Sequence, residues 1–353
     1  MINCLGILTN IMIREKGRVI MKLMFLNIKN LVRLFVMMAL CLPGYSFSQE
    51  QFPSKMITLV IGFTAGSSSD VFGRFYAKKL SSLTGQAVVV ENRLGAAGLV
   101  GANSVLRAPA NGYTLMATTA SLPITAYMQN EHKLDVARDF VGIVPLFKTS
   151  LVVIVKADSS LKTMSDLIDV TKKSPRGLSY ATFGVGSFSH LQMEMLSSRS
   201  GGAKIIHIPY KGGPEVTSAV LSGEVDVGLA IALTVASQVK SGQLRALVTF
   251  DNDRTPVLPN VPSIKEVGYP DVTVRSYVGI VASAKTPPVL VSRLQELSQQ
   301  VVADPEYIEA IAKYGADPLI LSSAEWNMLL LQESEKVFGL TKSMGLIKSD
   351  AVR

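Results

Sequence analysis

Ile57-Thr-Leu-Val-Ile-Gly-Phe63-Thr64-Ala65-Gly66-Ser67-Ser68-Ser69-Asp70 passes from an apolar run into a turn rich in glycine and hydroxyls. Ile57 to Phe63 has the β-branched, apolar character of a buried strand. Asp70 to Leu83 then carries apolar residues at Val71, Phe72, Phe75, Tyr76, Leu80 and Leu83, the stripe of an amphipathic helix closed by Gly85. A strand that feeds a helix through such a loop is the first half of a βαβ unit. The loop also sets backbone N–H groups and serine hydroxyls at a helix N-terminus, where unpaired donors and the helix dipole favour an anion such as a carboxylate. An ordinary βα turn capped by Ser69 or Asp70 would use the same residues.

The alternation continues outward from this segment. Ala87 to Glu91 reads as a strand, Ala97 to Leu106 as a helix and Tyr113 to Thr118 as a strand. After an interruption the rhythm restarts at Leu151 to Val155, with Thr163 and Asp166 capping a helix to about Lys172. Leu178 to Thr182 is a strand ending in a second glycine-serine loop, Phe183-Gly184-Val185-Gly186-Ser187, with a helix from about Ser189. Three strands (Ala203 to Ile208, Val225 to Leu229, Leu244 to Phe250) then alternate with two helices (Pro214 to Ser222, Thr234 to Ser241). The last part is an extended run, Val272 to Ala282, and helices from Pro287 (cap Thr286), Pro305 (cap Asp304) and Ser322, the last with a capping box to Glu325. Two βα sets, each with one donor-rich loop, predict two similar α/β lobes with mainly parallel sheets facing each other across a cleft.

Composition narrows the function. Charged residues make up 18% and apolar ones 48% of the chain, the profile of a folded globular protein. The net charge of +8 tempts one towards nucleic acid, but residues 1–48 hold six cations against Glu15 and so carry +5 of it. No Lys/Arg cluster interleaved with aromatics follows, so a nucleic-acid partner is not expected. The leader reads as a secretory signal: Lys22, Lys29 and Arg33 as the basic region if translation starts at Met21, Leu34 to Leu42 as the apolar core, and Ser46-Phe47-Ser48 as the cleavage site. Residues 1–20 then stand as a misassigned start. Cys41 invites lipidation, but Leu40 sits where such a signal wants a small residue. Cys4 and Cys41 both lie in the leader, so the exported chain is cysteine-free and has neither disulfides nor thiolate chemistry, which suits a periplasmic protein.

Catalytic and cofactor signatures are missing. No Gly-Lys-Ser/Thr follows either loop, and Gly184, Gly186 and Ser189 fail the dinucleotide spacing, so no nucleotide cofactor is expected. His132, His190 and His207 show no metal-ligand spacing, and no metal site is expected. His190, in the first turn after the second loop, either donates to a ligand or is a plain helix-start histidine. His207, beside Pro209-Tyr210-Lys211-Gly212, reads as part of a structural turn. With no Gly-x-Ser-x-Gly elbow, an exported hydrolase is the weaker alternative to a binding protein, and the chain is not expected to be an enzyme. Trp326 reads as core.

Six motifs in order carry a resemblance: Phe63 to Asp70; Val89-Val-Glu-Asn-Arg93 with Gly95-Ala-Ala-Gly98; Asn111-Gly-Tyr-Thr114; His207-Ile-Pro-Tyr-Lys-Gly212; Gly223-Glu-Val-Asp226; and Leu244-Arg-Ala-Leu247. Together they resemble the Bug-type substrate-binding proteins of tripartite tricarboxylate transporters over nearly all of residues 52–346. The resemblance implies a periplasmic, monomeric two-lobed clamp of the type II (Venus-flytrap) fold, with lobe 1 at 49–149 plus 276–353 and lobe 2 at 150–275. It implies capture of a small carboxylate and delivery to a membrane permease, or, in a sensory variant, to a signalling receptor. By position, Phe63 and Ala65, Gly66, Ser67, Ser68, Ser69 and Asp70 would contact ligand from lobe 1. Phe183, Gly184, Val185, Gly186, Ser187 and His190 would do so from lobe 2, with Thr118, Ser121 and Ala230 lining the cleft. Two departures bear on ligand identity. The usual Pro-Gly-Gly of the first loop is replaced around Ala65, Ser67 and Ser68, and Ala230-Ile231 makes apolar a wall that is often polar or acidic, which fits a ligand with an apolar or aromatic middle.

Overall fold

Strand β1, Ile57–Ile61, lies in a sheet of order β11-β4-β10-β3-β1-β2 in a computed structural model that describes residues 52–129, 134–173, 177–201, 205–313 and 316–347. The expected signal peptide and His132 lie outside the described residues. β1 pairs in parallel with β2 (Val88–Asn92) and β3 (Thr114–Thr119), and the helices α1 (Ser68–Thr84) and α2 (Leu99–Arg107) make the two connections. Ala97 and Gly98, expected as the start of α2, belong instead to a separate 3₁₀ turn, Ala96–Gly98. The stretch that interrupted the sequence rhythm supplies α3 (Ser121–Gln129), the short α4 (Val136–Asp139) and β4 (Phe140–Lys148).

The chain then enters a second sheet of order β7-β6-β8-β5-β9. It comprises β5 (Leu151–Lys156), β6 (Leu178–Thr182), β7 (Ile205–Pro209), β8 (Val227–Ile231) and β9 (Leu244–Thr249). α5 (Met164–Lys173), α6 (Phe188–Arg199), α7 (Gly213–Ser222) and α8 (Ala232–Lys240) connect them. β10 (Tyr277–Ser283) returns to the first sheet, followed by α9 (Pro288–Val302), α10 (Pro305–Lys313), β11 (Asp317–Pro318) and α11 (Ser323–Ser343).

Each sheet is mixed, with a common logic. β6 lies parallel between β7 and β8, as β1 does between β2 and β3. Antiparallel pairing enters where the chain changes sheets, at β5 beside β8 and β10 beside β3. The parallel strands run towards the cleft, where their loops gather. A strand arriving from the other sheet starts at the cleft and must run the opposite way, and it needs no crossover helix. The parallel set foreseen from the βα rhythm is therefore three neighbouring strands of each sheet, β2-β1-β3 and β7-β6-β8.

Two apolar clusters fill the layers. One packs β1, α1 and α9 around Leu59, Phe72, Tyr76 and Leu294; the other runs from α2 and α3 through the second sheet. Tyr76, fully buried, satisfies its hydroxyl on Ser298 Oγ at 2.6 Å, as an interior phenol requires. Trp326 on α11 is fully buried over Gly142 and Gly279, where any β-carbon would collide with the indole, and its Nε1 donates to the Ile280 carbonyl. Ser322 and Glu325 form the foreseen capping box. Asp304 accepts from the amides of Glu306 and Tyr307, as expected of a cap, whereas the residue at the α9 N-cap is Pro287 and not Thr286.

Candidate functional site

A cleft lies where the loops after β1 and β6 come together. From the side of the first sheet it is lined by Phe63, Ser67, Ser68, Ser69, Thr119, Thr149, Ser276, Tyr277 and Val278. Phe183, Phe188, Gly213, Ile231 and Thr234 line it from the second. This is the carboxyl end of the parallel strands, the place where open α/β sheets bind ligands. None of these lining residues is Lys, Arg or His.

The two glycine-serine loops share one backbone design. Gly66 and Gly186 have φ of 80° and 79°, a left-handed turn that favours glycine. Ser67 and Ser187 follow as helix N-caps, each Oγ accepting the amide three residues on, from Asp70 at 3.3 Å and from His190 at 3.2 Å. The side chains of those third residues reach back: the Gly66 amide donates to Asp70 Oδ2 at 3.0 Å, and the Gly186 amide to His190 Nδ1 at 3.3 Å. Each loop is thus a reciprocal cap, with Asp in one and neutral His in the other where a capping box has Glu. The cap is Ser67, two residues before Ser69 and three before Asp70, the caps expected from the sequence.

This arrangement divides the expected contacts into those on the cleft and those beneath it. Phe63, Ser67, Ser68, Ser69 and Phe183 line the cleft. Asp70 does not: it is buried and also accepts from Asn92 Nδ2 at 2.8 Å and from Arg74, so its carboxylate is committed to holding the loop. Burial raises the Asp70 pKa, but hydrogen bonds from Arg74, Asn92 and Gly66 outweigh it and hold the group below its ordinary value. Ala65 and Gly66 are exposed at the turn. In the second loop the amides are consumed within the protein. Phe183 N donates to Ser189 Oγ, Gly184 N to Thr182 Oγ1 and Ser187 N to the Gly184 carbonyl, while Val185 is exposed.

Thr118 and Ala230 are each one residue out. Strand side chains alternate between faces, and it is Thr119 and Ile231 that line the cleft. Ser121 is fully buried, and its Oγ accepts the first amide of α6, from Phe188, at 3.3 Å, tying the two lobes together. Thr149, Phe188, Gly213, Thr234, Ser276, Tyr277 and Val278 were not anticipated. Thr149 and Ser276 sit at the two crossings between sheets, with their hydroxyls 2.6 Å apart, and no local pattern marks such a juxtaposition across the chain. Tyr277 is notable: it lines the cleft, and its buried hydroxyl has no partner among the described residues. Burial, and then the charge of Glu333, keep this phenol protonated far above its ordinary range, so it remains a donor.

Behind the second loop, His190 stacks on His207 at 4.1 Å and His207 on Tyr180 at 5.0 Å. Because His190 Nδ1 accepts from Gly186, its proton resides on Nε2, 3.8 Å from Glu194. His207 Nε2 pairs with Thr182 Oγ1 at 2.6 Å. Burial is the first cause lowering the pKa of both rings, with the neighbouring His190 adding to it at His207, which is brought to about 4. Both histidines support the loop and neither lines the cleft.

Comparison with known proteins agrees with this geometry. The family model described as the tripartite tricarboxylate transporter family receptor matches residues 72–346. A Cupriavidus necator relative, the UPF0065 protein in the gbd 5' region, is 33% identical over 85% of this chain and 90% of its own. Protein BugT of Bordetella pertussis is 29% identical over 84% of this chain and 92% of its own. Among solved structures, the periplasmic binding protein BugD aligns with a TM-score of 0.78 at 27% identity, over 84% of this chain and all of that one. A Rhodopseudomonas palustris protein, Rpa4515 with adipate, aligns at 0.77 and 26% identity over 83% of this chain and 98% of that one. The chain belongs to the tripartite tricarboxylate transporter receptor family, as a Bug-type protein with the fold of a periplasmic binding protein.

Proposed function

We propose that this chain is a periplasmic receptor that closes its two lobes on a small carboxylate and presents it to the permease of a tripartite transporter. The observation that carries the reading is the first turn of α1. Ser68 and Ser69 line the cleft, and their amides, the first two of the helix, have no intrahelical acceptor, whereas Asp70 N and Val71 N already bond Ser67. A carboxylate seated there gains charge-assisted hydrogen bonds of about 1.5 to 3 kcal/mol each, and three or four of them offset the cost of association to leave roughly micromolar binding. The adipate held by the R. palustris relative supports carboxylate as the ligand class.

Lobe 1 comprises 49–149 plus 276–353 and lobe 2 comprises 150–275, with Thr149 and Ser276 at the hinge. A ligand touching both walls favours the closed form because it binds that form better. Ser187 is buried beneath the second loop, and among the described residues no histidine lines the cleft to serve a serine nucleophile, so a binding role accounts for these residues better than hydrolysis. The exported chain screened by calorimetry against mono- and dicarboxylates should bind one of them, and Ser68→Ala should weaken that binding about tenfold, the worth of one charge-assisted bond. Unchanged affinity in Ser68→Ala would remove α1 from the site.

A further inference from the structure

We infer that the cleft selects a carboxylate with a single charged end and an apolar or aromatic body, and discriminates against dicarboxylates. This rests on the receptor reading above. The two ends of the cleft are chemically unequal. At α1, Ser68 and Ser69 line the cleft at the start of the helix, where the first amides have no carbonyl one turn back to bond. At the opposite end the corresponding helix start is already used. Both loops hold their glycine amides internally, Gly66 on Asp70 and Gly186 on His190; the difference lies at the first helical amide, which at α6 is capped by Ser121 Oγ from the other lobe.

The wall at that far end is Phe183, Phe188 and Ile231, with Phe183 and Phe188 tilted against each other at 5.6 Å. Among the described residues, no cationic side chain lines the cleft to meet a second carboxylate. A second ionised group there would lose its hydration without compensation, whereas an alkyl or aryl end would be dehydrated favourably. The similarity of the two loops in sequence thus hides a difference at the helix starts: Ser68 at the start of α1 lines the cleft, whereas at α6 the first amide is capped and Phe183 and Phe188 line the wall.

Hexanoate and adipate share a carbon skeleton and differ only in whether the far end is methyl or carboxylate, so they form the matched test. Calorimetry on the exported chain, with phenylacetate as an aromatic probe, should show hexanoate or phenylacetate binding at least about tenfold more tightly than adipate. Thr234→Lys, which adds a cation to the lobe 2 wall, should narrow or reverse that ratio, and Thr234→Met should leave it in place. Adipate binding as tightly as hexanoate or more so overturns the inference while leaving the receptor reading intact. Binding of none of these acids, nor of any other carboxylate in a wider panel, overturns the reading itself and the inference with it.

Discussion

Asp70 and His190 show how one backbone demand is met by different chemistry. Each supplies the acceptor that fixes a left-handed glycine amide in front of a serine cap. For Asp70 the acceptor is a buried carboxylate tied to Arg74 and Asn92, so Asp70→Ala removes the acceptor of the Gly66 amide and one of the two acceptors of Asn92 Nδ2. The variant should lose about 2 kcal/mol of stability, read as a lowered urea midpoint with an unchanged slope, and should weaken ligand binding because the α1 loop is no longer held. For the histidine pair the consequence is a dependence on pH. His207 has its pKa reduced from 6.5 to about 4 by burial and then by His190, so the folded state binds fewer protons than the unfolded chain between those values. Stability present above pH 6.5 is therefore lost as pH falls towards 4. Proton NMR of the ring hydrogens should find His207 titrating near 4, and the stability loss on acidification should be shallower in His207→Gln. A midpoint near 6.5 would contradict the assignment.

The motifs that carried the family resemblance turn out to be packing and stapling devices as much as ligand contacts. Asn92 donates to the Phe63 carbonyl and to Asp70, joining β2 to the first loop. Gly98 lies so close to Gly62 that a β-carbon on the latter would fall 2.5 Å from it. Asp226 accepts from both the amide and the hydroxyl of Ser179, locking β8 beside β6, and Arg245 donates to the carbonyls of Ala157, Ser159 and Leu161. These explain why the order of elements was readable from local pattern. βα rhythm, capping residues and glycine stops are local signals, whereas β4 was missed because its apolar run follows an unsignalled helix pair. The cleft wall was half readable: loop residues announce themselves by composition, but Thr119 rather than Thr118, and Ile231 rather than Ala230, depends on strand phase at the last residue. Fit of α11 to the first sheet rests on Trp326 over two glycines. Gly279→Ala would set its β-carbon 2.4 Å from the indole and should cost about 1 to 3 kcal/mol, measured as a fall in the thermal midpoint.

Closure of the two lobes is supported from both sides of the cleft without any help from ligand. On one side Thr125 Oγ1 donates to the Gly186 carbonyl at 2.8 Å, Gln129 Nε2 to the Val185 carbonyl at 2.9 Å, and Phe188 N to Ser121 Oγ. On the other, Thr64 Oγ1 donates to Glu215 at 3.0 Å, and Gly212 packs so closely on Thr64 that it has no room for a side chain. Under the proposed hinge these bonds would break on opening, so they would bias the equilibrium towards the closed form while leaving the interior of each lobe alone. Net hydrogen bonds are worth about 0.5 to 1.5 kcal/mol each. Apparent affinity scales with the fraction of molecules competent to hold ligand, so removing two of these bonds should weaken binding by about 5- to 100-fold if the closed form is the minor one at rest. Thr125→Val with Gln129→Ala is the direct test, since neither residue lines the cleft. The double variant should show weaker carboxylate binding and a larger radius of gyration by small-angle scattering in the presence of ligand, with little change in the thermal midpoint of the ligand-free protein. A large fall in that midpoint would instead make α3 a structural brace of the fold rather than a latch between its halves.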